Sequence, residues 1–218
     1  MPRKTIPLIG AMLAALAAIA LAALVVWHQF TGQTAGREGR GIEAVMAPGI
    51  DMGGPFTLID GAGQTVTLAD FAGSYPLIYF GFTSCPDICP TELSTMAAAI
   101  DILAERNQSA AEDIVPVFIT IDPERDTPDV VGAYADAFHP RMVGLTGSAE
   151  AVDEAARAFR IFYSKGAVDE DGFYLMNHSG FVYLMGPDGE FLTMFNGGSD
   201  PQAMSDALAS YVSAEPAS

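Results

Sequence analysis

The strongest hydrophobic pattern in the chain is a run of 20 residues at 8–27, in which Gly10 is the one residue outside the apolar set and no charge occurs. As a helix rising about 1.5 Å per residue, this run spans about 30 Å, the thickness of a bilayer core. A secretory signal has a shorter apolar region, of roughly 7–15 residues. The pattern therefore predicts a transmembrane helix.

The residues that flank this helix predict its orientation. Arg3 and Lys4 are the charges that precede it, and positive charges stay on the cytoplasmic side of a membrane. Trp27 and Phe30 stand where a small-residue cleavage site would be expected, and they resemble an interfacial aromatic belt. We therefore expect residues 1–30 to form an uncleaved anchor, with the rest of the chain exported.

Strand and helix patterns alternate after a glycine-rich segment at 31–54, which predicts a flexible stalk. Predicted strands cover 55–60, 65–68, 75–82, 114–121, 142–145, 181–186 and 190–195, and predicted helices cover 92–106, a segment opening at Thr127, 149–162 and 201–211. Continuous apolar runs at 75–82 and 114–121 are typical of strands buried on both faces. This order predicts an α/β fold, a thioredoxin-like three-layer sandwich over residues 55–212, followed by a C-terminal tail at 213–218.

Composition adds a constraint on partners. The 218 residues include 10 Lys and Arg against 27 Asp and Glu, for a formal net charge of −17. So acidic a domain repels phosphate backbones, which argues against nucleic-acid binding and favours basic partner surfaces. The length beyond the anchor is sufficient for one domain with a substantial core.

The two cysteines lie in the sequence Cys85-Pro-Asp-Ile-Cys89, between the buried strand at 75–82 and the next helix. A helix N-terminus lowers the pKa of a nearby thiol and so favours the thiolate. If the helix extends back to Cys85, both sulfurs lie one turn apart on one face. Three interpretations stay open: a metal site, a redox-active dithiol and a structural disulfide of an exported domain. The structural bridge is the weakest, since so short a loop gives little stabilisation.

Histidine occurs three times in the chain. We expect His28 at the membrane interface and His139, at a helix end, as a surface cap. His178 precedes the closing hairpin, in a loop that faces the cysteine loop in thioredoxin-like folds. Two thiolates and one imidazole suit Cu(I), and with a further oxygen or nitrogen donor they suit Cu(II). Zinc with an added carboxylate ligand is the weaker alternative.

Five segments occur in a distinctive order: Gly53-Gly-Pro-Phe56, Tyr79-Phe-Gly-Phe-Thr-Ser-Cys-Pro-Asp-Ile-Cys-Pro90, Ile121-Asp-Pro-Glu-Arg-Asp-Thr-Pro128, Val143-Gly-Leu-Thr-Gly147, and His178 ahead of Tyr183-Leu-Met-Gly-Pro-Asp-Gly189. Over roughly residues 50–212 they closely resemble the Sco/SenC family of membrane-anchored copper proteins. The resemblance implies a thioredoxin-like domain that binds one copper ion through Cys85, Cys89 and His178. It also implies assistance in assembling the dinuclear copper-A centre of cytochrome c oxidase subunit II. In that role the cysteine pair would act as a thiol reductant of that centre's cysteines and would itself be oxidised to a redox-active disulfide.

The residues around these ligands include one departure from the family. The family usually has an aspartate just before the histidine, where this chain has Asn177. The missing negative charge predicts retained copper binding with a preference shifted toward Cu(I). Met176 is expected to serve core packing rather than ligation. Asp122 and Asp126 are expected to be structural parts of a strand-to-helix loop, with a place beside the copper loop as the alternative, and Asp87 is a further candidate neighbour.

These features favour a non-catalytic metallochaperone. The alternative is an enzyme, a tethered thiol-disulfide oxidoreductase or thiol peroxidase, which would use the same cysteine pair without needing His178. A sensor or scaffold that holds copper without transferring it is a third hypothesis.

The expected location is a bacterial inner membrane, spanned once, with the C-terminal domain in the periplasm. A long Arg- and Ser-rich transit segment is not found ahead of the anchor, so a mitochondrial inner membrane is less favoured. The expected partners are cytochrome c oxidase subunit II, a periplasmic copper donor and the membrane itself.

Overall fold

The computed structural model describes residues 52–212, which belong to one compact unit. The predicted anchor at 1–30, the stalk as far as residue 51 and the tail at 213–218 lie outside the described residues. Between residues 52 and 212, no helix has the length and apolar character needed to cross a membrane. The first described residues already contact the domain, since Met52 packs against the core and Gly53 N–H donates a 3.0 Å hydrogen bond to the Ala158 carbonyl.

The described chain consists of nine strands and five α-helices. The strands are β1 (Thr57–Asp60), β2 (Thr65–Thr67), β3 (Tyr75–Gly81), β4 (Ile114–Thr120), β5 (Val143–Thr146), β6 (Tyr163–Lys165), β7 (Met176–His178), β8 (Val182–Met185) and β9 (Phe191–Phe195). The helices are α1 (Ile88–Arg106), α2 (Gln108–Asp113), α3 (Pro128–Asp136), α4 (Ala149–Ala158) and α5 (Pro201–Val212), with a 3-10 turn at Leu68–Phe71.

Seven of these strands form one mixed sheet in the order β2-β1-β5-β4-β3-β8-β9. β3 runs parallel to β4 and antiparallel to β8, and all seven of its residues are buried. Its continuous apolar sequence follows from this burial on both faces. The loop that leaves the carboxyl end of β3 is therefore built on the most buried part of the sheet.

Helices cover both faces of the sheet. Phe118 of β4 packs against Tyr134 of α3, with ring centroids 5.2 Å apart. Phe118 is the register partner of Tyr79 on β3, so the two side chains lie on the same face of the sheet. Phe80 follows Tyr79 on β3 and points to the opposite face, because side chains alternate along a strand. On that face Phe80 lies 5.3 Å from Phe159, which directly follows α4. The predicted three-layer α/β sandwich is confirmed.

Helix α4 ends at Ala158, four residues before the predicted end at 162. Arg160 adopts a left-handed backbone with φ of 55°, and the Ile161 N–H donates to the Ala156 carbonyl at 2.8 Å. This is the pattern of a Schellman ending, in which a left-handed residue turns the chain away from the helix axis. The chain is thereby free to enter β6.

Strands β6 and β7 are not expected from the sequence pattern. Among the strands between residues 52 and 212, they pair only with each other, in a two-stranded sheet separate from the main one. Each is three residues long, too short to show the alternation by which a strand is recognised.

The prediction that His139 caps a helix at the surface is wrong. His139 is buried, and its Nδ1 accepts a hydrogen bond from the Arg141 N–H at 3.1 Å. Burial lowers the pKa of His139, and the charge of Arg141 acts in the same direction. This histidine is therefore part of a packed turn.

Candidate metal centre

Cys85 and Cys89 lie at the junction of β3 and α1. Helix α1 begins at Ile88, four residues earlier than predicted, so Cys89 is in its first turn while Cys85 remains in the preceding loop. The two cysteines therefore do not share a helical face. Instead, Cys85 Sγ accepts a hydrogen bond from the Cys89 N–H at 3.4 Å. The Cys85 sulfur thus accepts from one of the backbone N–H groups that have no partner within the helix at its N-terminus.

The two thiols have different environments. Cys85 is partly exposed, Cys89 is fully buried, and both are free. Burial raises the pKa of the Cys89 thiol to about 12, and the interaction between the two thiols acts in the same direction. This is opposite to the lowering expected at a helix N-terminus. In the metal-free protein Cys89 is a neutral thiol at pH 7, so binding a cation must displace its proton.

His178, the last residue of β7, meets the cysteine loop. Its Nε2 lies 3.5 Å from Cys89 Sγ. Its Nδ1 lies 3.0 Å from the Ser179 carbonyl, an acceptor, so Nδ1 carries the proton and Nε2 presents a lone pair. The rings of Tyr79 and Phe82 meet the imidazole edge-on, at centroid distances of 6.1 and 5.9 Å. Burial lowers the pKa of His178, which favours the neutral form that ligates metals.

Cys85, Cys89 and His178 each present one ligand atom, and these three atoms all lie within 4.8 Å of one another. Among residues 52–212, this is the one group of three or more His, Cys, Asp or Glu side chains placed closely enough to share a metal ion. Two sulfurs and one imidazole fit Cu(I). Because no carboxylate belongs to the group, it fits neither the oxygen ligation of Mg²⁺ and Ca²⁺ nor the four ligands of structural zinc.

An open cleft of about 400 Å³ leads to these ligands, and the predicted neighbours Asp87, Met176 and Asn177 line it. Met176 also packs against the core, as expected. Asn177 is exposed and its Nδ2 donates to Ser164 Oγ at 3.4 Å. This bond joins the Asn177 amide to its register partner on β6.

Asp122 and Asp126 are buried in the loop between β4 and α3, and neither lines the cleft. Asp126 accepts a hydrogen bond from Thr83 N–H at 3.0 Å. Asp122 accepts one from the Tyr174 hydroxyl at 2.9 Å and one from Arg125 Nε at 2.5 Å. The partners of both carboxylates lie close to the ligands along the chain, Thr83 two residues before Cys85 and Tyr174 four residues before His178. The sequence pattern singles out neither Arg125 nor Tyr174.

Glu92 is a further residue near the site that the sequence pattern does not single out. It is fully buried three residues after Cys89, and its Oε1 accepts a 2.5 Å hydrogen bond from the Gly198 N–H. Its Oε2 has no hydrogen-bond partner among the described residues. Burial raises the pKa of Glu92, against the lowering effect of the Gly198 N–H. The available signal was the spacing from Cys89, which places both on one side of α1.

The amino-acid sequence was compared with the profiles of known protein families. The SCO1/SenC family profile matches residues 45–213, well over half of the chain. The chain belongs to the SCO1/SenC family. The resemblance predicted from the cysteine and histidine motifs is confirmed.

Two kinds of relative extend this finding. The human mitochondrial SCO1 homolog is 48% identical over 144 residues, which cover 66% of this chain and 47% of the human protein. The chain spans about half the length of the curated relatives it matches. The crystal structure of Arabidopsis thaliana ScoI with copper bound shares 43% identity at a TM-score of 0.69, covering 74% of this chain and 98% of that one.

A third relative connects the fold with oxidase assembly. BsSco, described as a member of the Sco family of cytochrome c oxidase assembly proteins with a disulfide switch, shares 25% identity at a TM-score of 0.55, covering 76% of this chain and 96% of that one. Together with the Arabidopsis structure, it confirms the predicted thioredoxin-like, Sco-type fold.

Proposed function

We propose that this protein is a copper metallochaperone that binds one copper ion through Cys85, Cys89 and His178. It delivers the ion during assembly of the copper-A centre of cytochrome c oxidase subunit II. The convergence of two thiols and a neutral imidazole within 4.8 Å carries this proposal. Copper in the Arabidopsis relative and the assembly role described for BsSco support it.

The donor set accepts copper in both oxidation states. With two thiolates the site carries a net charge of −1 with Cu(I) and zero with Cu(II). Metal binding releases the proton that burial keeps on Cys89, so copper affinity rises with pH. His178 needs no proton change, because its Nε2 already presents a lone pair.

Delivery requires contact with another protein, and the surroundings of the site supply an apolar surface. Six large hydrophobic side chains are exposed among residues 52–212, and one of them, Val130, lies on α3. The other five lie between the cysteines or just ahead of His178: Ile88, Phe162, Val168, Phe173 and Leu175. Exposed apolar side chains concentrated at one site are typical of protein-binding surfaces. The acidic surface around them favours a partner with basic residues beside its metal-binding loop.

We further propose that the apolar run at 8–27 tethers the domain to a bacterial inner membrane, with the metal centre in the periplasm. Arg3 and Lys4 ahead of that run support this orientation. There the domain takes copper from a periplasmic donor and passes it to subunit II. In this role the protein binds and transfers a metal ion and is not an enzyme.

The test is copper transfer from the full chain, loaded with one equivalent of Cu(I), to metal-free, reduced subunit II. We expect copper to appear in the separated subunit II fraction. Phe162→Ser should slow this transfer without changing copper affinity, whereas Val130→Ser serves as the matched control and leaves the rate unchanged. Copper that stays on the chain would contradict delivery and favour the sensor or scaffold hypothesis.

Thiol reduction of subunit II is a second candidate function. Two free thiols close together favour it, as does the disulfide switch described for BsSco. In this reaction Cys85 and Cys89 form a disulfide, and their two electrons and two protons reduce the disulfide of subunit II. The reaction does not need the imidazole, so His178→Ala should keep it while losing copper transfer.

A further inference from the structure

The metal centre has two parts that meet at the ligands. We call residues 82–89, which include both cysteines, the cysteine arm. We call residues 162–179, which run through β6 and β7 to His178, the histidine arm. The loop between β4 and α3, residues 121–127, contacts both arms through its buried side chains.

This loop holds the cysteine arm through Asp126, which is 1% exposed. The Asp126 carboxylate accepts hydrogen bonds from Thr83 N–H at 3.0 Å and from Thr83 Oγ1 at 2.5 Å. Thr120 Oγ1 donates a third, at 2.6 Å. Thr83 stands two residues before Cys85, so these bonds fix the backbone from which the first ligand extends.

The same loop holds the histidine arm through Tyr174, the one buried residue between Phe162 and Ser179. The Tyr174 hydroxyl donates to Asp122 Oδ1 at 2.9 Å. Arg125 Nη1 donates to the Tyr174 carbonyl at 3.0 Å, and the guanidinium carbon lies 3.7 Å from the centroid of the Tyr174 ring. A cation this close to an aromatic face is attracted to it, most strongly where water is partly excluded.

Arg125 contacts both arms. Its guanidinium carbon also lies 5.9 Å from the centroid of the Phe82 ring, and Phe82 meets the His178 imidazole at an interplanar angle of 90°. Asp122 orients the guanidinium by accepting from Arg125 Nε at 2.5 Å. Besides the direct contacts of His178 with Cys89 and Phe82, the two arms are thus joined through one planar, permanently charged group.

We propose that Arg125 is a positioning residue that fixes the histidine arm against the cysteine arm and so sets the distance from His178 Nε2 to the sulfurs. This inference rests on the proposed copper site. The histidine arm has one buried side chain, so ordering it only when copper binds would cost conformational entropy. Arg125 orders the arm before the metal arrives. Partners that orient metal ligands typically change metal affinity by about 10–100-fold.

A double-mutant cycle with the full chain separates this role from a general structural one. Arg125→Gln should weaken Cu(I) binding by about 10–100-fold, and Arg125→Lys, which keeps the charge without the planar fork, by less. The matched control is Arg106→Gln, which removes an arginine paired with Asp206 between α1 and α5 and should leave affinity unchanged. In a His178→Ala background, Arg125→Gln should cause no further loss. Equal losses with and without His178, or no loss at all, would overturn the proposal.

A metal-free measurement tests the same claim independently of copper. The Gly166 N–H donates to the Leu175 carbonyl and the Ser179 N–H to the Phe162 carbonyl, so these amides report on the histidine arm. Arg125→Gln should speed their hydrogen exchange relative to β3, while Arg106→Gln should not. Unchanged exchange would overturn the positioning role. Wild-type protein that binds no copper would instead contradict the proposed function, whatever the exchange rates show.

Discussion

The two arms of the metal centre are held by very different parts of the fold. The cysteine arm follows β3, a strand that is buried at every residue and paired on both sides. The histidine arm contains β6 and β7, three residues each, which among the described strands pair only with each other and are half-buried or exposed at every position. The cysteine arm is thus fixed by burial and by the hydrogen bonds to Asp126, whereas the histidine arm depends on a few polar and cation–π contacts from the loop at 121–127.

This difference suggests how a tightly bound ion can be released. Moving the cysteine arm would disturb the core, whereas moving the histidine arm breaks few buried contacts. We therefore expect the imidazole to be the ligand that a partner displaces first. We expect the exposed hydrophobic residues on the histidine arm, such as Phe162 and Leu175, to contact that partner, which is where displacement would begin.

The largest expected effect comes from removing either sulfur. Cys85→Ala and Cys89→Ala should each weaken Cu(I) binding by more than about 100-fold, since losing a ligand exceeds losing an orienting partner. The two variants should differ in their free energy of unfolding. Cys89→Ala should lose about 1 kcal/mol, as for a deleted methyl-sized group in the core, and Cys85→Ala less than about 0.5 kcal/mol because Cys85 is partly exposed. Chelator competition and urea unfolding measure the two effects. Equal stability losses would contradict the contrast between a buried and an exposed sulfur.

A smaller effect is expected at Glu92, the buried carboxyl three residues after Cys89, and it should appear in the pH dependence of the free energy of unfolding. Because burial raises its pKa above the ordinary 4.5, the folded protein holds this proton more tightly than the unfolded chain does. Its contribution to stability is therefore fully present below pH 4.5 and is lost as pH rises through the folded pKa. Glu92→Gln stays neutral, so it should gain stability relative to wild type between about pH 4 and pH 8 in urea unfolding.

The matched control for Glu92 is Glu105→Gln, at an exposed position on the same helix. Because the Glu105 side chain is exposed, this substitution should change the free energy of unfolding by less than about 0.5 kcal/mol at each pH tested. If Glu92→Gln showed the same flat profile, the account of a desolvated carboxyl beside the cysteines would be wrong.

The smallest expected effect is at Asn177 on the histidine arm. Asn177→Asp adds a negative charge near the copper and should lower the Cu(II)/Cu(I) reduction potential, because charge stabilises the more positive ion. The side chain is exposed and bonded to Ser164, so we expect a change below about 60 mV, the value that corresponds to a tenfold shift in a one-electron equilibrium. Spectroelectrochemical titration measures it, and a potential that rises or stays constant is incompatible with this account.

The same contrast explains what the sequence could predict. The uninterrupted apolar residues of β3 and the cysteines that follow it are a local signal, so the cysteine arm could be placed from the chain alone. His178 could be assigned from its motif. The strands that carry it could not, because their position depends on contacts such as that between Arg125 and Tyr174, 49 residues apart.

The pKa of Cys89 shows a second limit. Its place near a helix start predicts a lowered value, but burial raises it to about 12. The extent of burial depends on neighbours from several elements, which no local pattern reports. Likewise, the spacing from Cys89 places Glu92 on the same side of α1, whereas its bond to the Gly198 N–H follows only from the packing of the loop before α5 on α1.

The most direct test of the three-ligand copper site is an anaerobic Cu(I) titration of the reduced full chain against a competing chelator. His178→Ala is run in parallel, with His28→Ala as the matched control. We expect wild type and His28→Ala to bind about one equivalent tightly, and His178→Ala to bind more weakly by more than about 10-fold. Equal binding by all three proteins, or binding by none, would contradict the site and leave thiol exchange as the better account of the cysteine pair.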